Sequence, residues 1–112
     1  MEKKIHNKLV RDKIPDIILK DQKICKTKIL LEQDYKELLK RKLLEEANEV
    51  CQAVSKEEIC KEIADVWEVV DAIMDTFHLS KEEVLKEKEQ KAFRNGKFEK
   101  RIFLESVEDT YE

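Results

Sequence analysis

The chain has 112 residues, of which 23 are basic and 26 acidic, for a net charge of −3. Such near balance gives no overall drive toward nucleic acid or an anionic membrane surface. No stretch reads as a signal peptide, a transmembrane run or an acylation motif, so a cytoplasmic protein without membrane or nucleic-acid partners is expected. At 44% charged and 41% apolar, with one Gly and one Pro, the composition favours long helices in one small domain over residues 1–112. The three cysteines, Cys25, Cys51 and Cys60, are odd in number and lack metal-ligand spacing. Reduced thiols are expected, with Cys51 and Cys60 as small, partly buried helix residues.

The first segment, residues 7–15, is basic and irregular. Pro15 disfavours helix at Ile14 and suits the first turn of a short helix through Leu19. Residues 26–30 alternate as a strand does, over a very short span. A long amphipathic helix is predicted over about 34–54. Ser55-Lys56-Glu57-Glu58 reads as a capping box that opens a second long helix ending near Phe77, and Ser80-Lys81-Glu82-Glu83 as another that opens a third, reaching about Arg94. Asn95-Gly96 supplies a left-handed stop. Residues 98–104 alternate weakly and fit an extended tail, and the last residues are acidic.

The two long helices carry one repeated pattern. Leu43, Ala47, Val50 and Val54 form an apolar stripe at about 100° per residue, and Ile59, Ile63, Val66 and Val70 form its counterpart. On both helices an acid lies roughly 60° off the stripe, Glu46 and Glu62, and a second roughly 120° off on the same side, Glu49 and Asp65. Helices joined by a short turn pack antiparallel, which lines one edge of the seam with four carboxylates. Such a cluster repels itself without a cation and suits a hard divalent ion, above all Mg²⁺. The plainer alternative is that Glu45, Glu46, Glu49, Glu62 and Asp65 form a solvated face on charged helices.

Among the basic residues, Lys8, Arg11 and Lys13 near the start and Lys91, Arg94 and Lys97 near the end are candidates to grip phosphates, Arg in bidentate fashion and Lys as a point charge. Lys91 and Arg94 share a helix face. Trp67 sits off the stripe on the side opposite the acids, where core or subunit-interface packing is favoured over base stacking. His6 and His78 are isolated, and Asn48 points away from the acids. Val69, Ile73, Met74 and Phe77 extend the apolar face beyond what one partner helix buries. A homodimer or homotetramer completing a four-helix bundle is therefore expected.

Glu45-Glu46-x-x-Glu49, twelve residues, then Glu62-x-x-Asp65 resembles the EExxE…ExxD signature of the MazG-like all-α nucleoside triphosphate pyrophosphohydrolases, a superfamily that includes dimeric dUTPases and phosphoribosyl-ATP pyrophosphohydrolase. Residues 7–15, Asn-Lys-Leu-Val-Arg-Asp-Lys-Ile-Pro, resemble the opening of a compact MazG-like subgroup. Residues 91–98 resemble its K-x-x-R-G-x-F closing segment, with Asn95 inserted before the Gly.

The resemblance implies a MazG-type bundle of antiparallel helices completed by oligomerisation, a third helix packed on the long pair, and short extended flanks. It implies Glu46, Glu49, Glu62 and Asp65 as Mg²⁺ ligands, with Mn²⁺ as a substitute, and Glu45 as a water-orienting carboxylate. Glu45, Glu46 and Glu49 are then the catalytic candidates. The implied reaction is hydrolysis of a nucleoside triphosphate, a deoxy or non-canonical one, at the α–β phosphoanhydride to monophosphate and pyrophosphate in nucleotide-pool house-cleaning. The rivals are a phosphoribosyl-ATP pyrophosphohydrolase, with the same cut and metal, and a non-catalytic helical binding module.

Overall fold

The computed structural model describes residues 2–110 and contains four helices: α1 Ile14–Lys20, α2 Glu32–Gln52, α3 Lys56–Thr76 and α4 Lys81–Asn95. No strand occurs among the described residues, so the fold is all-α. Residues 26–30 and 98–104 are irregular or turn-like. They lie at chain positions with no partner strand to pair with, and alternation over so few residues does not hold a strand alone. No helix among the described residues is long and apolar enough to cross a membrane.

Local chemistry fixes the ends. Pro15 stands in the first turn of α1, where its missing N–H costs nothing. Ser55 Oγ accepts the Glu58 backbone N–H at 3.1 Å. Only that half of the expected box forms there. At α4 both halves form, Ser80 Oγ with the Glu83 N–H and Glu83 Oε1 with the Ser80 N–H, each at 3.1 Å. Gly96 stops α4 with φ 85°, a conformation that costs glycine no Cβ clash, and its N–H donates to the Ala92 carbonyl at 2.8 Å. His78 ends the α3 segment in the left-handed region with φ 57°.

Contacts divide the chain into two compact units, Met1–His78 and Leu79–Glu112. α1, α2 and α3 belong to the first and α4 to the second. Within the first unit, α2 packs along α3. The pair is antiparallel: the two helices are joined only by residues 53–55, and at the opposite end the Lys36 and Lys40 ammonium groups of α2 lie 5.2 and 5.6 Å from the Phe77 ring centroid after α3. Those are cation–π distances.

The protected row differs from the stripes drawn on the sequence. On α2 the shielded positions include Tyr35, Leu39, Lys42, Leu43, Glu46 and Val50. On α3 they include Ile59, Glu62, Val66, Val69, Ile73 and Thr76. The α3 row steps by threes and fours, and the α2 row does so apart from the adjacent Lys42 and Leu43, the spacing of helices that wrap gently around each other. Leu43, Val50, Ile59, Val66 and Val70 keep their expected protection. Ala47 and Val54 do not, and Ile63 remains 41% exposed. The rotation places Leu39 and Val69 at the centre, the two buried residues of the described chain, and brings Val69, Ile73 and Met74 under cover. It also moves Glu46 and Glu62 from beside the seam into it. Cys51 and Cys60 follow the seam residues Val50 and Ile59 by one position, so they point away and are exposed, against expectation. Trp67 is likewise 70% exposed and belongs to no core of this chain.

Two measurements test this packing. Leu39→Ala should destabilise the fold by about 2–5 kcal/mol, read by chemical denaturation; a loss no larger than that of a surface substitution would remove Leu39 from the centre. The exposed apolar residues Ile63 and Trp67 on α3, Leu44 on α2 and Val54 in the turn between them predict self-association. Light scattering at micromolar concentration should give a multiple of 13.4 kDa, and Trp67→Glu should lower it. A wild-type mass equal to one chain refutes the expectation.

Candidate metal centre

The α2–α3 pairing brings acids from two helices to one place. Carboxylate oxygens of Glu46, Glu62 and Asp65 lie within 4.8 Å of one another. All three residues are half-buried, the Glu46 side chain 16% and the Asp65 side chain 39% exposed. Glu62 and Asp65, three apart on α3, share one helix face, and the antiparallel register sets Glu46 of α2 across from them. Glu49 is exposed and stands outside this group of three. It faces Glu62 across a shallow hollow lined also by Gln52, Ala53 and Glu58 at the α2–α3 turn. Glu45 is exposed, one position off the seam. Thus three of the four expected ligands converge and the fourth flanks them.

Two cations touch the cluster. Arg11 reaches from the N-terminal segment to α3, with Nη2 at 2.6 Å from Asp65 Oδ1 and Nη1 at 3.6 Å from Glu68 Oε1. Lys42 Nζ lies 3.1 Å from Glu45 Oε2 and 3.5 Å from Glu46 Oε1, with its side chain 18% exposed. Sequence reasoning missed Lys42 and Glu68. The signal for Lys42 was its position one turn before Glu46, hidden in a chain full of lysines. Lys8 and Lys13 are exposed and form no ion pair among the described residues. Lys91 and Arg94 lie on α4 and Lys97 just past it, in the second unit. Arg94 lines a shallow surface hollow there with Lys86, Glu89, Gln90 and Phe93.

Glu62 carries the electrostatic cost of the arrangement. Partial burial in the seam raises its carboxyl above the ordinary 4.5, and the charges of Asp65, Glu49, Glu46 and Glu58 raise it further. No Lys, Arg or His nitrogen lies within 4.0 Å of it among the described residues. Three carboxylates with no thiolate or imidazole make a hard oxygen donor set. That set fits Mg²⁺ or Mn²⁺ and suits Zn²⁺ poorly.

The fold is an all-α one whose paired helices gather carboxylates from an ExxE…ExxD pattern. The chain belongs to the phosphoribosyl-ATP pyrophosphohydrolase family, whose model matches residues 12–92. That family lies within the MazG-like all-α nucleoside triphosphate pyrophosphohydrolases. Membership implies a pyrophosphohydrolase acting on a nucleotide, of a kind that typically uses a divalent metal. No curated protein and no solved structure matches the chain.

The raised Glu62 carboxyl sets the sign of a pH effect. Above 4.5 the native state binds this proton more tightly than the unfolded chain does. Stability from Glu62 therefore falls as pH rises from 4.5 through the raised native value. Glu62→Gln should remove that slope, so in EDTA its melting temperature should gain on wild type as pH climbs through the window. Parallel melting curves at every pH would show that Glu62 does not feel its neighbours. Glu57→Gln, on an exposed position of α3, is the control that should track wild type.

Proposed function

We propose that this chain hydrolyses the α–β phosphoanhydride of phosphoribosyl-ATP, releasing pyrophosphate and leaving the monophosphate. The convergence of Glu46, Glu62 and Asp65 inside the matched range 12–92 supports this reading. In it, Glu46, Glu62 and Asp65 hold the divalent ion, with Glu49 beside them able to reach it or the substrate. A divalent ion supplies charge neutralisation and acidifies water. Glu45, exposed and adjacent in sequence to Glu46, is the candidate to orient the attacking water, and one carboxylate of the site accepts its proton. The water oxygen bonds to phosphorus as the bridging P–O bond breaks, and the leaving oxygen departs with pyrophosphate. Lys8 and Lys13, which form no ion pair among the described residues, are candidates for the substrate's phosphates. Lys91, Arg94 and Lys97 are candidates on the resemblance of their own segment.

A second reading, hydrolysis of a deoxy or non-canonical nucleoside triphosphate, has its own support. The family match begins at residue 12 and ends at residue 92, so Lys8, Arg11, Arg94 and Lys97 fall outside it. Those residues belong to the opening and closing segments that resemble the compact MazG-like subgroup.

A substrate panel with Mg²⁺, read by separation of products, decides between them. Phosphoribosyl-ATP should yield pyrophosphate, EDTA should stop turnover, and Glu46→Gln or Glu62→Gln should slow it roughly 100-fold or more, since a bound ion supplies several kcal/mol of charge stabilisation. Turnover of a nucleoside triphosphate but not of phosphoribosyl-ATP selects the second reading. Release of orthophosphate with a diphosphate left behind contradicts both.

A further inference from the structure

Three carboxylates within 4.8 Å of one another push apart unless something holds them. Each outer flank of this cluster is held by a cation of the chain itself. Asp65, on α3, takes Arg11 at 2.6 Å. Glu46, on α2, takes Lys42 at 3.5 Å. Glu62 has no such partner within 4.0 Å among the described residues. The two cations also differ in origin. Lys42 is local, one turn before Glu46, in the weaker order of the two for a helical pair. Its side chain is only 18% exposed, however, so the ammonium is less screened than on an open surface. Arg11 comes from 54 residues away and spreads its guanidinium over two acids on successive turns of α3, Asp65 and Glu68. Its Nη2 meets a single oxygen of Asp65, which leaves the other carboxylate oxygen available. That arrangement is what an outer partner of a metal ligand requires: it fixes the carboxylate's rotamer without occupying both oxygens.

We propose that Arg11 and Lys42 are positioning residues that hold Asp65 and Glu46 in orientation for a divalent cation, rather than groups that grip substrate phosphate. The assignment rests on reading the cluster as a metal site. It gives the N-terminal segment a function of its own, since residues 7–13 are then the strap that carries Arg11 to α3. Removing either cation lets its carboxylate swing out under repulsion from the other acids, and the ion loses an oriented ligand.

Calorimetric titration of the full chain with Mn²⁺, without nucleotide, tests this. Arg11→Ala and Lys42→Met should each weaken Mn²⁺ binding about 10- to 100-fold, the usual effect of losing an outer partner. Arg11→Lys should recover part of the loss, because it restores the charge without the two-pronged reach. Far-UV circular dichroism of each variant should remain helical, which separates positioning from unfolding. If Arg11→Ala and Lys42→Met bind Mn²⁺ as tightly as wild type, or more tightly because a competing cation has gone, the proposal is overturned. Glu62→Gln distinguishes that failure from failure of the metal reading: it should bind Mn²⁺ far more weakly even where the positioning variants do not. Wild-type affinity in Glu62→Gln would overturn the metal site and the proposal together.

Discussion

Carboxylates inside a helix–helix seam are the constraint from which the rest of this molecule follows. Glu46 and Glu62 occupy places in the α2 and α3 rows where paired helices ordinarily put leucine or valine. Such positions add no hydrophobic stabilisation, and they add repulsion between like charges. The well-buried centre is accordingly displaced along the pair to Leu39 and Val69. The half of the seam near the α2–α3 turn is left for polar chemistry. A helical pair that accepts this loss retains a fixed, half-shielded group of oxygen donors, held by two rigid elements rather than by loops.

Countercharge is the second consequence. The acid cluster recruits Lys42 from its own helix and Arg11 from the N-terminal segment. Exposed ion pairs contribute little to stability, and Arg11, with a side chain 56% exposed, is such a case. Its significance is geometric: it ties an otherwise irregular segment to α3 at the acids. The same logic separates the two ends of the α2–α3 pair. One end is acidic, and the other is closed by Lys36 and Lys40 over Phe77.

Membership of the phosphoribosyl-ATP pyrophosphohydrolase family and the hard donor set agree in chemistry. Nucleotide polyphosphates are polyanions, and a divalent ion is the usual means by which hydrolases of this kind offset that charge. Several of the basic candidates, Lys8, Arg11, Arg94 and Lys97, lie outside the matched residues 12–92.

Much of this was legible in the sequence. Capping residues Ser55 and Ser80, Pro15 and Gly96 mark helix ends through local bonds that need no tertiary partner, so the four helices were expected within a few residues of where they stand. The paired acidic spacing marked Glu46, Glu62 and Asp65 as neighbours before any packing was known. What the sequence left open was rotation about the helix axis. Two apolar stripes, one through Ala47 and Ile63 and one through Leu39 and Val69, share Leu43, Val50, Ile59 and Val66, and periodicity alone does not choose between them. Tertiary packing chose the row with the larger side chains, turned Glu46 and Glu62 inward, and left Glu49 at the margin. Contact between Arg11 and Asp65 was equally out of reach, because pairing across 54 residues depends on how the chain returns, which no local spacing encodes.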